Sequence, residues 1–251
     1  MDAIFKAYQI TDIGGREENQ DCMLLLQKPD GLGGYILLAG VADGAGGFGD
    51  GKKASETLKK EIHKWFAQTS AAEFMEPQGN LMNFVDAKLK EIQELLLRKA
   101  DEENITYGST LTLLLILRET KYLIAQVGDS RLYLYQEGQL HQITKDQTVA
   151  QKEKDSGKEI SCSSNKKSTL LQCFGSGSIF PKYYEGQLPK EAQILICSDG
   201  QSNRLSSSEI KEVLETDKPG NEKLSILLRL ARNKLEQDNI TTILITKENM
   251  G

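Results

Sequence analysis

The sequence predicts an α+β protein in which antiparallel sheets are covered by segregated helices. Three observations carry this reading. Strand-like runs come in sets, separated by a helical stretch, with a last strand near residue 245. The joins between strands are mostly short polar or Gly-containing turns, which suit antiparallel neighbours. Between the strand sets the apolar period switches to nearly four residues, the signature of an amphipathic helix. Runs of strands and runs of helices kept apart in this way belong to the α+β class.

Taken in order, residues 4–11 and 22–27 read as strands around the polar "GGREENQD". "YILLAGVA" (35–42) is apolar throughout, as a strand buried on both faces would be. The loop "QKPDGLGG" before it has hairpin chemistry. Ala54, Leu58, Ile62 and Phe66 mark a first helix, which "AAEFMEPQGN" ends. Phe84, Val85, Leu89, Ile92, Leu95 and Leu96 mark a second, giving an antiparallel helical pair. "STLTLLLILRET" and "KYLIAQVGDS" return to strand, and "RLYLYQEGQLHQIT" is a hairpin turning at Glu137-Gly138. Residues 146–169 are polar and rich in Ser and Lys, expected as a mobile surface segment that opens with a short helix. "AQILICS" (192–198) is a buried strand, and Ser206 with Glu209 has the spacing of a capping box. Leu224, Leu227, Leu228, Ala231 and Leu235 mark a further helix, and "NITTILITK" a final strand. With neither an internal repeat nor a linker, the expectation is one domain spanning 1–251.

Composition narrows the function. At 251 residues, with 39% apolar and 27% charged residues, the chain is an ordinary soluble globular sequence. Its net charge is −5 and its Lys and Arg are scattered, so nucleic acid is not an expected partner. Cys22, Cys162, Cys173 and Cys197 form no CxxC pair, and His63 and His141 are isolated, which argues against a zinc site. The N-terminus lacks signal-peptide form and no apolar run approaches a membrane span. The expectation is a cytoplasmic protein with free thiols and no membrane partner.

The acids are placed oddly. Asp43, Asp129 and Asp199 each end a strongly apolar run, Asp21 precedes the second strand, and Asp238 precedes the last. Any one of them is most simply a turn residue or a helix cap. Five at strand termini can converge at one edge, where their mutual repulsion calls for a cation. Oxygen-only ligands select hard ions such as Mg²⁺, Mn²⁺ or Ca²⁺, and the absence of a D-x-D-x-D-G loop excludes an EF-hand. Gly44, Gly46 and Gly47 after Asp43 would let the backbone approach an ion or phosphate closely.

These residues together resemble the metal-dependent serine/threonine phosphatases of the type 2C (PPM) family, in its bacterial form. "TDIGGREENQD", "VADGAGG", "YGSTLTLLLI", "AQVGDSRLYLYQEGQLHQITKDQT", "LLQCFGSG", "ILICSDGQSNRLSSSEI" and "DNITTILI" are similar to the family's motifs and keep their order over almost the whole chain. The resemblance implies a four-layer α-β-β-α sandwich with two central antiparallel sheets. It implies two Mn²⁺ or Mg²⁺ ions bridged by Asp43, with the Gly44 carbonyl and Asp21 serving one and Asp199 and Asp238 the other. Asp129 corresponds to the position that holds a third, weaker ion. Arg16 would grip the substrate phosphate, and residues 146–169 would form the flap. The implied reaction is hydrolysis of phosphoserine and phosphothreonine monoesters by direct attack of a metal-bridging water or hydroxide. The implied partners are phosphorylated proteins, substrates of a serine/threonine kinase, met by a monomer.

Two positions depart from the family pattern. Ala45 stands where many eukaryotic members place a His that could protonate the leaving group, and Gln20 where a Glu is frequent. The second reading they leave is a non-catalytic, phosphatase-like module that binds a phosphoprotein or effector. A phosphodiesterase is a third. Cys197, beside Asp199 but in a strand, is expected in the core rather than as a nucleophile.

Overall fold

The computed structural model describes residues 3–45, 49–118, 120–157, 169–189 and 191–249. Among these residues ten strands form two five-stranded sheets in which every named strand pair is antiparallel. The first sheet has the order β1 (Ala3–Asp12), β10 (Ile240–Asn249), β9 (Ala192–Cys197), β6 (Arg131–Gln136), β7 (Gln139–Gln142). The second has β2 (Cys22–Pro29), β3 (Tyr35–Ala42), β4 (Leu111–Leu117), β5 (Lys121–Val127), β8 (Lys182–Gln187). The helices are α1 (Gly51–Gln68), α2 (Ala71–Met75), α3 (Leu81–Glu103), α4 (Val149–Asp155), α5 (Asp199–Ser202), α6 (Ser207–Leu214) and α7 (Gly220–Asn233).

Three apolar cores account for the four layers. Side chains alternate across a strand, so β3 sends Leu37, Ala39 and Val41 to a core between the sheets, with Leu114, Ile116, Ile194, Ile196, Ile243 and Ile245. Its other face sends Ile36 and Leu38 outward to Leu58, Ile62, Leu89, Ile92 and Leu96 of α1 and α3. The first sheet does the same with Tyr133, Leu195 and Leu244 against Ile210, Leu214, Leu224 and Leu227 of α6 and α7. This double burial is why the central strands read as unbroken apolar runs rather than alternating ones. The expected α+β sandwich is therefore the observed one.

Local chemistry sets several boundaries. The β6–β7 turn has positive φ at both Glu137 and Gly138, 48° and 70°, as a tight two-residue hairpin requires. Ser206 and Glu209 form the expected capping box at the start of α6. Lys28 of β2 donates its ammonium to the carbonyls of Phe66 and Thr69 at the end of α1 and lies 4.4 Å from the Phe66 ring centroid. A cation is favourable where helix carbonyls are left unpaired.

Three elements were not foreseen. Strand β8, "KYYEGQ", is half exposed at a sheet edge and lacks an apolar run. Helix α2 lies inside the stretch taken as a break, started by a Ser70–Glu73 capping box and anchored by Phe74. Helix α5 is a single turn. Residues 158–168 of the expected flap, and with them Cys162, lie outside the described residues, as do Gly46 and Gly47. The helix expected at the start of that segment is α4.

Phe74 is fully buried, with ring centroids 5.2, 5.4 and 5.8 Å from Trp65, Phe66 and Phe84. Phe74→Ala is expected to lower unfolding free energy by about 3–5 kcal/mol, read from the urea midpoint at unchanged slope.

Candidate active site

Strand register brings the five acids together. Cys22 pairs with Ala42, so Asp21 and Asp43 lie at the same end of neighbouring strands. Val127 pairs with Leu111 at that end, and the chain then crosses to the other sheet through Gly128, Asp129 and Ser130. There Cys197 pairs with both Arg131 and Thr242, and Asp12 pairs with Ile240, which brings Asp199 and Asp238 to the same end. Asp43, Asp129, Asp199 and Asp238 line one cavity of ≈ 870 Å³ with Arg16, Glu17, Gln20 and Gly44.

Asp21 lies behind the cavity wall. Its Oδ2 accepts from Ser198 Oγ at 2.8 Å, while its Oδ1 is buried without a hydrogen-bond partner. Burial pushes its pKa up to about 6, against hydrogen bonds from Thr241 and Ser198. Asp43 and Asp199 are held well above the usual carboxylate range, first by burial and then by the neighbouring acids. Burial, with Asp146 nearby, lifts Asp129 to about 7. A buried carboxylate is costly unless its charge is met. These acids gather at one place without enough positive charge to meet them.

Arg16 supplies part of it. Its guanidinium donates to both oxygens of Asp238, Nε at 3.0 Å and Nη2 at 2.8 Å. That pairing raises the Arg16 pKa. Gly14 makes it possible: its φ is +66°, and a Cβ there would lie 1.9 Å from the Asp238 carbonyl oxygen. The loop can therefore lie flat against Asp238. Asn239 fixes the same loop, donating to the carbonyls of Ile13 and Glu18 and accepting from the Gln20 N–H.

The backbone at Gly44 is equally close-fitting. Its N–H donates to the Gln20 carbonyl at 3.2 Å, and a Cβ would meet the Gly51 backbone at 2.6 Å. The next residue, Ala45, places a methyl in the cavity wall. Asp50 caps α1, its side chain accepting from the Lys53 N–H at 2.9 Å. Asp129 stands on a buried polar network. Ser130 Oγ bonds Thr110 Oγ1 at 2.9 Å, and Gln147 Oε1 accepts from the Gly128 N–H at 2.8 Å. Arg131 Nε and Nη2 donate to the two oxygens of Asp146 at 2.8 and 2.6 Å. Burial works against the Arg131 charge, but Asp146 and Tyr133 outweigh it and raise its pKa.

The residues present fit a hard divalent cation. The donors are all oxygen, and one buried carboxylate oxygen is orphaned. Among the described residues, no three acids, cysteines or histidines are already closed into a coordination cage. Asp43 lies within hydrogen-bonding reach of both Asp21 and Asp199, and Arg16 pairs with Asp238.

The model of the family described as "Protein phosphatase 2C" matches residues 13–233. The chain belongs to the protein phosphatase 2C family. It is a phosphatase by that membership, and the family is metal-dependent. The chain is 27% identical over 213 residues to "Serine/threonine phosphatase stp" of Listeria monocytogenes, covering 83% of each protein. It is 27% identical over 246 residues to "Protein phosphatase PhpP" of Streptococcus pneumoniae, covering 94% of this chain and 95% of that one. Its fold matches the crystal structure of Serine/threonine phosphatase Stp1 from Staphylococcus aureus with a TM-score of 0.86 at 24% identity, over 99% of this chain and 96% of that one.

Sequence reasoning missed the residues that hold this phosphatase's acids in place: Ser198 and Thr241 on Asp21, Asn239 on the Arg16 loop, and Asp146 on Arg131. Only Asp146 had a readable signal, since "KDQT" follows the Gly-Asp-Ser-Arg hairpin closely. Cys197 is in the core as expected, and burial pushes its thiol up to about 12.

An acid whose folded pKa is raised lends stability below its unfolded value of about 4 and loses it as pH rises through the folded value. For Asp21 and Asp129 the window runs from about 4 up to about 6 and about 7. In chelator, the thermal midpoint of Asp129→Asn is therefore expected to gain on the wild type as pH rises across that window. Parallel pH profiles would refute this.

Proposed function

We propose that this protein hydrolyses phosphoserine and phosphothreonine monoesters on proteins, with the cavity at the sandwich end as its active site. The observation that carries the reading is the convergence of Asp21, Asp43, Asp129, Asp199 and Asp238 beside one guanidinium. A non-catalytic binding module has no use for so costly a cluster, and none of the five acids is missing.

We assign Asp43, Asp21, the Gly44 carbonyl, Asp199 and Asp238 as the groups that would hold two divalent cations, Mn²⁺ or Mg²⁺, with Asp129 available to a third. Divalent cations bound there supply Lewis acidity, polarising phosphoryl oxygens and acidifying water near neutral pH. The chain's own residues do the rest. Arg16, planar and able to donate two parallel bonds, would bind the substrate phosphate. Its charge then offsets what develops on the transferring phosphoryl oxygens. Ala45 offers no proton, so protonation of the leaving oxygen falls to water in the cavity. The side chain of Gln20 accordingly contributes no charge. It donates to Glu18 Oε1 at 2.8 Å.

We further propose that residues 1–251 act as one phosphatase domain, with 146–169 as the flap, in the cytoplasm. Among the described residues no helix is long and apolar enough to cross a membrane. Proteins phosphorylated by a serine/threonine kinase are the proposed substrates.

With Mn²⁺, the protein is expected to hydrolyse an aryl phosphate and a phosphothreonine peptide. Asp43→Asn and Asp199→Asn should each lower kcat by at least about a hundredfold. Turnover that persists in both variants, or in chelator, would overturn the assignment. Gly44→Ala is expected to lower kcat by roughly tenfold or more, because displaced backbone shifts the reacting groups. Steady-state assay across a Mn²⁺ titration checks whether extra metal fails to restore it.

A further inference from the structure

The segment that lines one side of the cavity leads into a loop with two exposed apolar side chains. Thr169 and Leu170 line the cavity. The next residue, Leu171, is 48% exposed, and Phe180 is 73% exposed. Leu171 is tied to the cavity floor: its N–H donates to the Gln147 carbonyl at 2.8 Å, and the Gln147 N–H donates to the carbonyl of Gly128, the residue before Asp129.

The loop is held stiffly. The Gln172 side chain accepts from the Phe180 N–H at 2.6 Å and donates to the Phe180 carbonyl at 3.0 Å, with a further bond to Gln147 Oε1 at 2.7 Å. Beneath it, the buried Gln93 accepts from the Gly175 N–H at 2.8 Å and donates to the Gly177 carbonyl at 2.6 Å. Cys173, Phe174 and Ile179 root the loop in the core. An exposed Phe at the tip of a loose loop is ordinary. A Phe whose backbone is clamped from both sides has already lost much of the freedom that a binding partner would have to remove.

We propose that this loop seats the polypeptide flanking the phosphorylated residue, and that Leu171 and Phe180 select substrates with a bulky apolar side chain near it. The inference rests on the phosphatase reading above. Closeness to the cavity favours the substrate chain as occupant: Leu171 directly follows the cavity-lining Leu170, and Gln172 holds the Phe180 backbone beside it. Two side chains are too small a patch for a stable dimer, which needs about 20–30 residues a side. Glu17 and Glu18, also in the cavity wall, disfavour acidic flanks.

The test uses the full chain with Mn²⁺, an aryl phosphate, and a phosphothreonine peptide series in which one leucine is walked along a serine-rich flank. In the wild type, one or two leucine positions should raise kcat/KM, through KM, by about tenfold. Phe180→Ser and Leu171→Ser should each erase most of that preference and lower the ratio of leucine-peptide to aryl-phosphate kcat/KM. Both side chains are exposed, so the thermal midpoint should stay put. A wild type indifferent to leucine position would overturn the proposal, as would variants that lose peptide and ester turnover equally or keep the preference. Concentration-dependent dimerisation abolished by Phe180→Ser, with peptide kinetics unchanged, would assign the loop to a second copy instead and also overturn it. A wild type inactive on the aryl ester would sink the phosphatase reading itself.

Discussion

Like charge at one end of the sandwich is the constraint around which this structure is organised. Two sheets in fixed register deliver Asp21 and Asp43 from one side and Asp199 and Asp238 from the other, with Asp129 at the crossing. No folding preference of the backbone calls for carboxylates there. Burial raises the pKa of Asp43 and Asp199 before any neighbour does, and the neighbours then raise it further. The chain accepts a locally unfavourable arrangement, and the remainder of the fold must hold it.

The holding is done at two levels. Three apolar cores fix the sheets against each other and against the helices, so the strand ends cannot drift apart to relieve repulsion. Nearer the site, neutral hydrogen-bonding residues fix the loops: Asn239 under the Arg16 turn, Ser198 on Asp21, and Gln147 with Thr110 beneath Asp129. These partners satisfy backbone groups and orient carboxylates without cancelling their charge. A Lys or Arg in any of those places would stabilise the empty cluster and compete with whatever cation it binds. Arg16 is the exception, and its pair with Asp238 is solvent-accessible, hence weak and exchangeable.

Much of this was legible in the sequence, for a physical reason. Asp43 and Asp199 stand out because strands buried on both faces are uniformly apolar, so a terminal acid breaks a strong pattern. The same double burial made β3, β4, β5 and β9 readable. The supporting residues were not legible, because Asn239, Ser198 and Thr241 look like any polar residue beside a strand and act only through partners distant in sequence. Strand β8 was lost for the opposite reason: at a sheet edge, with half its side chains wetted, it carries little hydrophobic signal.

Cavity size alone would not have found the site. A second cavity of ≈ 840 Å³ lies at the opposite end of the first sheet, nearly equal to the ≈ 870 Å³ of the acidic one. Two of its lysines already have partners: Lys223 donates to Gln193 Oε1 and the Leu214 carbonyl, and Lys218 pairs with Glu222. Groups with their bonds already made gain little from a ligand. At the acidic end the balance is reversed. An orphaned Asp21 oxygen and several acids lifted out of their normal range leave free energy to be recovered when positive charge arrives. What separates a reactive pocket from a merely roomy one is this unmet electrostatic demand, held in place by a scaffold too well packed to relax it away.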